Sequence, residues 1–186
     1  MKRIPGILLL STLLLILGSF AAPAATNPTG GDMALSFNAG LANAFDDTFE
    51  DVETVFTGTF EYYTSPRVSW RGLLGTMSFD ADPPFPGDRL SVDATFVNAN
   101  VVYNWEGGKI HPFITGGVGA YQKDVSSNLP NSSRFDETTF GLNGGGGVDW
   151  YLGERWALKF EGVLHALTGE DPKTILVGTA GFKFWF

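Results

Sequence analysis

The feature that most constrains this chain is an alternation of apolar and polar residues with a period of two, which recurs in eight segments between residue 33 and the C-terminus. Alternation bounded by turn residues predicts β-strands. No segment carries a sustained apolar stripe at helical spacing, and 24 glycines and 10 prolines disfavour long helices. The chain is therefore predicted to be all-β.

The predicted strands are too long for an ordinary soluble sheet. They run to roughly 10 to 14 residues, whereas soluble strands average ~5–6 residues and strands that cross a bilayer at a tilt need ~9–11. The sequence does not settle the faces of the fifth, glycine-rich strand. The predicted strands lie near residues 33–42, 52–63, 68–79, 90–103, 112–123, 139–151, 156–166 and 176–186.

The connections between these strands alternate in length. Tight turns are predicted around Ser65-Pro66, between Glu106 and Lys109, and at Gly153-Glu154, whereas segments 43–51, 80–89, 124–137 and 168–173 form longer polar loops. Short turns on one rim and longer loops on the other are typical of an outer-membrane barrel. Because lipid offers no hydrogen-bond partners, such a sheet must close on itself. The sequence predicts a transmembrane antiparallel eight-stranded up-and-down β-barrel with both termini on the short-turn rim.

The two faces of the strands have opposite expected environments. The apolar faces, which hold many of the 16 Phe and 5 Trp, are too large for the interior and are predicted to face lipid. An eight-stranded barrel is filled by its own side chains or holds one small ligand, so opposite charges inside it must pair. The predicted interior polar network is Glu53, Glu61, Arg71, Asn98, Asn100, Asp149, Lys159, Glu161, His165 and Lys183. The predicted interfacial aromatic girdles are Tyr62, Tyr63, Trp70, Tyr103, Trp105, Trp150, Tyr151, Trp156 and Trp185.

The first segment has the order of an export signal. Lys2 and Arg3 precede an apolar run over 7–17 that is shorter than the ~20 residues of a spanning helix, and small residues follow. Ala22-Pro23-Ala24 predicts cleavage after Ala24, with Ala25 and an uncleaved anchor as alternatives. The chain thus divides into a signal peptide, 1–24, and a barrel domain, 25–186. Since the chain has no Cys, it has no disulfide, thiolate metal site or lipid-bearing Cys.

The C-terminus carries the most specific motif. A final Phe with aromatic residues at alternate positions resembles the C-terminal strand signal of bacterial outer-membrane proteins, which implies that the barrel-assembly machinery recognises Phe182, Phe184, Trp185 and Phe186. Segments 98–103, 108–120, 140–149 and 156–161 resemble the outer-membrane β-barrel domain family, specifically the small OmpA/OmpX-like and OmpW-like barrels. The resemblance implies an outer-membrane location, extracellular long loops, periplasmic termini and contact with lipid and lipopolysaccharide. A monomer without a peptidoglycan-binding domain is expected.

The sequence supplies little for catalysis or metal binding. Lipid A deacylases of similar size use a Ser-His-Glu arrangement, but His111 and His165 have no nearby Ser. The glycine run 144–147 lacks the Gly-Lys-Ser/Thr ending of a phosphate loop, and the acidic loops do not match an EF-hand. No catalytic residue, cofactor or metal is predicted. The formal net charge of −8 argues against a nucleic-acid partner.

Three functions follow as hypotheses. The leading one is an integral outer-membrane protein with a structural or surface-interaction role and a lumen largely filled by side chains. The first alternative is an OmpW-like conduit for small apolar molecules, which predicts an apolar pocket at the long-loop end. The remote alternative is a lipid A-modifying enzyme.

Overall fold

Eight antiparallel strands, each hydrogen-bonded to its neighbours in sequence, close into one barrel. The computed structural model describes residues 28–45, 52–81, 90–106, 108–127, 135–168 and 174–186. Closure occurs where β1 pairs with β8, from Ala34 opposite Trp185 to Ala44 opposite Ile175. The strands are β1 (Met33–Ala44), β2 (Glu53–Tyr63), β3 (Val68–Ala81), β4 (Leu90–Asn104), β5 (Ile110–Ser127), β6 (Phe135–Tyr151), β7 (Trp156–Leu167) and β8 (Thr174–Trp185).

The all-β barrel predicted from the alternation is confirmed. Among the described residues, no helix is long and apolar enough to cross a membrane. The predicted signal peptide and its cleavage site at Ala22 to Ala24 lie outside the described residues.

Two strands are much longer than their sequence pattern predicts. β5 has 18 residues and β6 has 17, and their pairing continues to Val125 opposite Phe135, inside a segment predicted to be a loop. The polar residues there hide the alternation, but each strand supplies the other with a ladder of hydrogen bonds. Residues 78–81, 90–93, 124–127 and 135–139 form a protruding sheet at the long-loop end. Among the described residues, β6 is bonded to the β7 side only from Phe140 onward, and β2 pairs with β3 only as far as Met77.

Alternation along each strand separates the outer wall from the interior. The structure settles the faces of β5, whose Ile110, Ile114 and Val118 point outward, whereas His111 and Phe113 are buried inside. The outward side chains form a broad apolar surface. It includes Phe37, Leu41, Phe56, Trp70, Leu74, Val97, Phe140, Leu142, Leu164 and Phe182.

The girdle prediction is wrong for three aromatic residues. Tyr63, Tyr151 and Trp185 are buried within the barrel rather than exposed at its outer rim. Each lies two residues from an inward charged residue on the same strand, and this spacing forces both side chains onto one face. The outer girdle at the short-turn end is therefore narrower than predicted, with Tyr62, Trp70, Trp105, Trp150 and Trp156 exposed on it.

Inward glycines make room for inward aromatic rings. A β-carbon added at Gly75 would lie 2.2 Å from the Phe96 ring, and one added at Gly147 would lie 2.7 Å from the Phe113 ring. Gly75 pairs with Phe96, and Gly147 pairs with Phe113, on the adjacent strand, so each ring occupies the space that a side chain at the glycine would need. Abundant Gly and abundant Phe are therefore two parts of one packing solution.

We expect Gly147→Ala to destabilise the barrel by about 1–3 kcal/mol. Its new methyl group would meet the Phe160 carbonyl oxygen at 2.0 Å as well as the Phe113 ring. The matched control is Gly162→Ala on the outer wall, where nothing lies within 4 Å, and its effect should stay within about 0.5 kcal/mol. Urea unfolding of both variants in detergent micelles measures the difference, and equal stabilities would contradict this packing.

Candidate functional site

The most distinctive feature of the interior is a cluster of six buried charged side chains, here called the charged network. Its members come from β2, β3, β6, β7 and β8, and each is at most 7% exposed. Three carboxylates balance three cations, so the network is formally neutral. Its members are Glu61, Arg71, Asp149, Lys159, Glu161 and Lys183.

Glu61 is the centre of the network, because all three cations approach its carboxylate. Arg71 donates from Nε to Glu61 Oε1 at 2.7 Å and from Nη1 to Glu161. Lys183 Nζ donates to Glu61 Oε2 at 2.9 Å and to Asp149 Oδ2 at 2.8 Å. Lys159 Nζ lies 3.2 Å from Glu161 Oε2 and 3.5 Å from Glu61 Oε1. Burying an ion costs several kcal/mol unless it is paired and hydrogen-bonded, so the six groups depend on one another.

Aromatic rings surround the cations and fill the short-turn end. Phe113 lies 5.0 Å from both the Arg71 guanidinium carbon and Lys159 Nζ. On the short-turn side of the network, Tyr151 stacks on Trp185 with ring centroids 4.8 Å apart. The Tyr151 ring also packs against the His111 ring, with centroids 4.4 Å apart. Cation–π attraction is stronger for desolvated cations, and Arg71 and Lys159 are at most 2% exposed. Tyr151 and Trp185, here called the aromatic layer, separate the network from the short-turn end.

A neutral polar layer lies on the other side of the charged network. Asn38 donates to Thr57 at 3.0 Å, and Asn100 donates to Thr115 at 3.2 Å and also to Asn143. These hydrogen bonds join β1 to β2, β4 to β5 and β4 to β6 without adding charge.

The interior becomes apolar toward the long-loop end. His165 Nδ1 lies 2.7 Å from the Tyr121 hydroxyl at the boundary, where Phe96 packs against both rings. Beyond it is a buried cluster, here called the apolar layer. Its members are Ala42, Ala44, Val55, Leu73, Met77, Ala94, Phe96, Tyr121, Leu167, Ile175 and Val177.

The structure divides the ten predicted interior residues among several levels. Glu61, Arg71, Asp149, Lys159, Glu161 and Lys183 meet in the charged network. Asn98 and Asn100 belong to the neutral polar layer, His165 marks its boundary, and Glu53 is half-buried at the far end of β2. The sequence prediction missed Phe113, because the glycines of β5 obscured its faces, and it missed the aromatic layer, because its rings were assigned to the girdle.

The C-terminal residues take three different environments. Phe182 and Phe186 are exposed on the outer wall, whereas Phe184 is covered by Trp156 at a ring distance of 4.6 Å. Trp185 points inward and forms part of the aromatic layer. The terminal strand thus contributes both to the outer wall and to the packing of the interior.

Among the described residues, these contacts give the interior a charge-balanced network between an aromatic layer and a neutral polar layer. Within the ranges that the structure describes, no group of three His, Asp or Glu side chains could hold a metal ion. A closed eight-stranded barrel with an apolar outer wall and polar side chains inside has the architecture of a transmembrane β-barrel.

The sequence comparison identifies the family. Residues 10–184 match the family described as outer membrane protein beta-barrel domain, and the chain belongs to this family. It is an integral protein of the bacterial outer membrane. A comparison with curated protein sequences finds no match.

Solved structures share this fold at low sequence identity. OprG of Pseudomonas aeruginosa matches with a TM-score of 0.66 and 16% identity, covering 87% of this chain and 99% of OprG. Neisserial surface protein A matches with a TM-score of 0.65 and 13% identity over 84% of this chain and 99% of its own. Ail, the attachment invasion locus protein of Yersinia pestis, was solved with the heparin analogue sucrose octasulfate. It matches with a TM-score of 0.64 and 11% identity, covering 85% of this chain and 100% of Ail.

We expect Lys183→Met to lower the free energy of unfolding by about 3–5 kcal/mol, because it leaves Glu61 and Asp149 with fewer buried partners. Adding Asp149→Asn should recover part of the loss, because the remaining two carboxylates and two cations balance each other again. Urea titrations monitored by Trp fluorescence compare the two variants. A double variant less stable than Lys183→Met alone would contradict the pairing.

Proposed function

We propose that this chain is a non-enzymatic outer-membrane barrel that stabilises the envelope or presents a surface for interaction, and that it forms no wide channel. The charged network carries this proposal. It joins five strands across the interior and is sealed on the short-turn side by the stacked Tyr151 and Trp185. An ion entering the lumen would have to separate buried ion pairs, which is costly.

Planar bilayer recordings test the filled lumen. Purified protein inserted at low density should give no stable large conductance steps under conditions in which a sixteen-stranded porin does. Stable porin-sized steps from this protein would contradict the proposal.

The protruding sheet supports a surface-interaction role. Thr168 donates its backbone N–H to the Phe140 carbonyl, which therefore points away from β5. Because backbone direction alternates along a strand, the N–H and C=O groups of Thr138 also point away from β5. Within the described residues, 135–139 pair only with β5. Exposed strand edges of this kind accept an added strand from another chain.

We expect Thr138→Pro to reduce adhesion of expressing cells to serum-coated plates. Proline removes the outward N–H of the edge and leaves the β5 ladder intact. Thr138→Val is the matched control, because it keeps the backbone donor while removing the hydroxyl. Equal adhesion by cells with the wild-type protein, Thr138→Pro and Thr138→Val would contradict an edge-mediated role.

The membrane orientation and partners form part of the same proposal. Extracellular long loops and periplasmic termini would place the protruding sheet outside the cell. The resemblance to small outer-membrane barrels supports a monomer that contacts lipid and lipopolysaccharide and is inserted by the barrel-assembly machinery.

A second candidate function is a conduit for small apolar molecules, and the apolar layer favours it. An apolar solute could enter among Leu73, Met77 and Ile175. It could not continue through the charged network, so it would have to leave sideways. The outer wall carries a groove of about 670 Å³ lined by Gly146, Gly162, Gly178 and neighbouring residues. Uptake of naphthalene by cells with and without the protein decides between the candidates, and an expression-dependent increase would favour the conduit.

A further inference from the structure

Two short turns are joined by polar and aromatic side chains at the edge of the outer wall. Arg67 ends the β2–β3 turn and Glu106 lies in the β4–β5 turn, with Arg67 Nε 3.1 Å from Glu106 Oε1. Asn104 donates its backbone N–H to the Arg67 carbonyl at 2.7 Å, which fixes the distance between the turns. The hydrogen bond to Glu106, followed by the neighbouring Tyr103 side chain, holds the pKa of Arg67 above its ordinary value. Arg67, Tyr103 and Glu106 therefore form one cluster.

An aromatic pair borders this cluster. The rings of Tyr103 and Trp105 meet edge to face with centroids 5.1 Å apart, and Trp105 is exposed. Farther from the turns on β3 and β4, Trp70 and Val101 are paired, and both are exposed on the apolar wall. The cluster thus lies where the apolar wall ends and the charged turns begin, which is the depth of lipid headgroups.

The chemistry of the cluster matches a zwitterionic headgroup. The side chains of Arg67 and Glu106 remain 59% and 44% exposed despite their contact, so each can take a second partner. A guanidinium binds a phosphate, and a carboxylate beside aromatic rings binds an ammonium. We propose that Arg67, Tyr103, Trp105 and Glu106 form a binding site for the headgroup of phosphatidylethanolamine, with its phosphate on Arg67 and its ammonium between Glu106 and the aromatic rings. The choice of a phospholipid rests on the proposed periplasmic position of the short turns.

The ion pair alone contributes little to the stability of the fold. Solvent screens an exposed pair, and the turns are already joined by the backbone hydrogen bond between Asn104 and Arg67. A phospholipid with both charges would satisfy both exposed side chains at once, whereas an anionic phospholipid would place a net negative charge beside Glu106.

Native mass spectrometry of the full-length barrel purified from outer membranes tests the site. The protein is mixed with equal amounts of phosphatidylethanolamine, phosphatidylglycerol and lipid A, and bound lipids are counted after mild activation. We expect wild-type protein to retain phosphatidylethanolamine preferentially. Glu106→Gln should lower that retention about five-fold, and Arg67→Gln should lower retention of both phospholipids. A heat-modified gel shift checks that each variant is folded.

The third short turn supplies a matched control. Glu154 is an exposed carboxylate beside Arg155 and near the exposed Trp150 and Trp156, so Glu154→Gln changes the same charge at the same rim. It should leave lipid retention unchanged. Equal retention of the two phospholipids by the wild type, or equal losses from Glu154→Gln and Glu106→Gln, would overturn the site. Preferential retention of lipid A that depends on Glu106 would overturn the proposed occupant.

Discussion

The closed ladder of backbone hydrogen bonds is the constraint on which the rest of this structure depends. Lipid cannot satisfy a free N–H or C=O group, so all eight strands must pair, and β1 must pair with β8. With only eight strands, closure leaves an interior as narrow as one layer of side chains. Large inward rings therefore need space beside them, and glycines on the paired neighbouring strand provide it. The Gly75–Phe96 and Gly147–Phe113 pairs are direct results of this geometry.

The same narrowness explains why the interior charges are balanced. Water cannot solvate Glu61, Arg71 or Lys183 where they lie, so each needs an opposite charge within reach. Glu61 meets this need for three cations, and Asp149 and Glu161 supply the remaining negative charge. The network also connects strands that are not neighbours in the sheet. The interior polar groups thus help to fix the shape of the barrel.

The sequence predicted the architecture well because alternation, strand length and turn length all report on one closed sheet. It predicted the members of the charged network because inward charges are conspicuous on strands with clear alternation, such as Lys159 and Glu161 on β7. It could not place Phe113, since the glycines of β5 leave too few side chains to define a face. It predicted loops that are too long at 124–137, because polar strand ends beyond the apolar wall lack an apolar face. It misplaced Tyr63, Tyr151 and Trp185 because aromatic residues near strand ends suit a girdle, although the period of two puts them on the same face as Glu61, Asp149 and Lys183.

The proposed filled lumen requires an interior that excludes water and ions, and a cysteine-accessibility experiment tests this most directly. The chain has no cysteine, so Ser36→Cys creates a unique thiol beside Lys183, at a position 1% exposed in the folded barrel. Gly153→Cys at the exposed short turn is the reference. We predict that a small charged thiol reagent labels Gly153→Cys in the folded protein but labels Ser36→Cys only after unfolding. Labelling of folded Ser36→Cys at the rate of the reference would show an open, water-filled lumen and contradict the account.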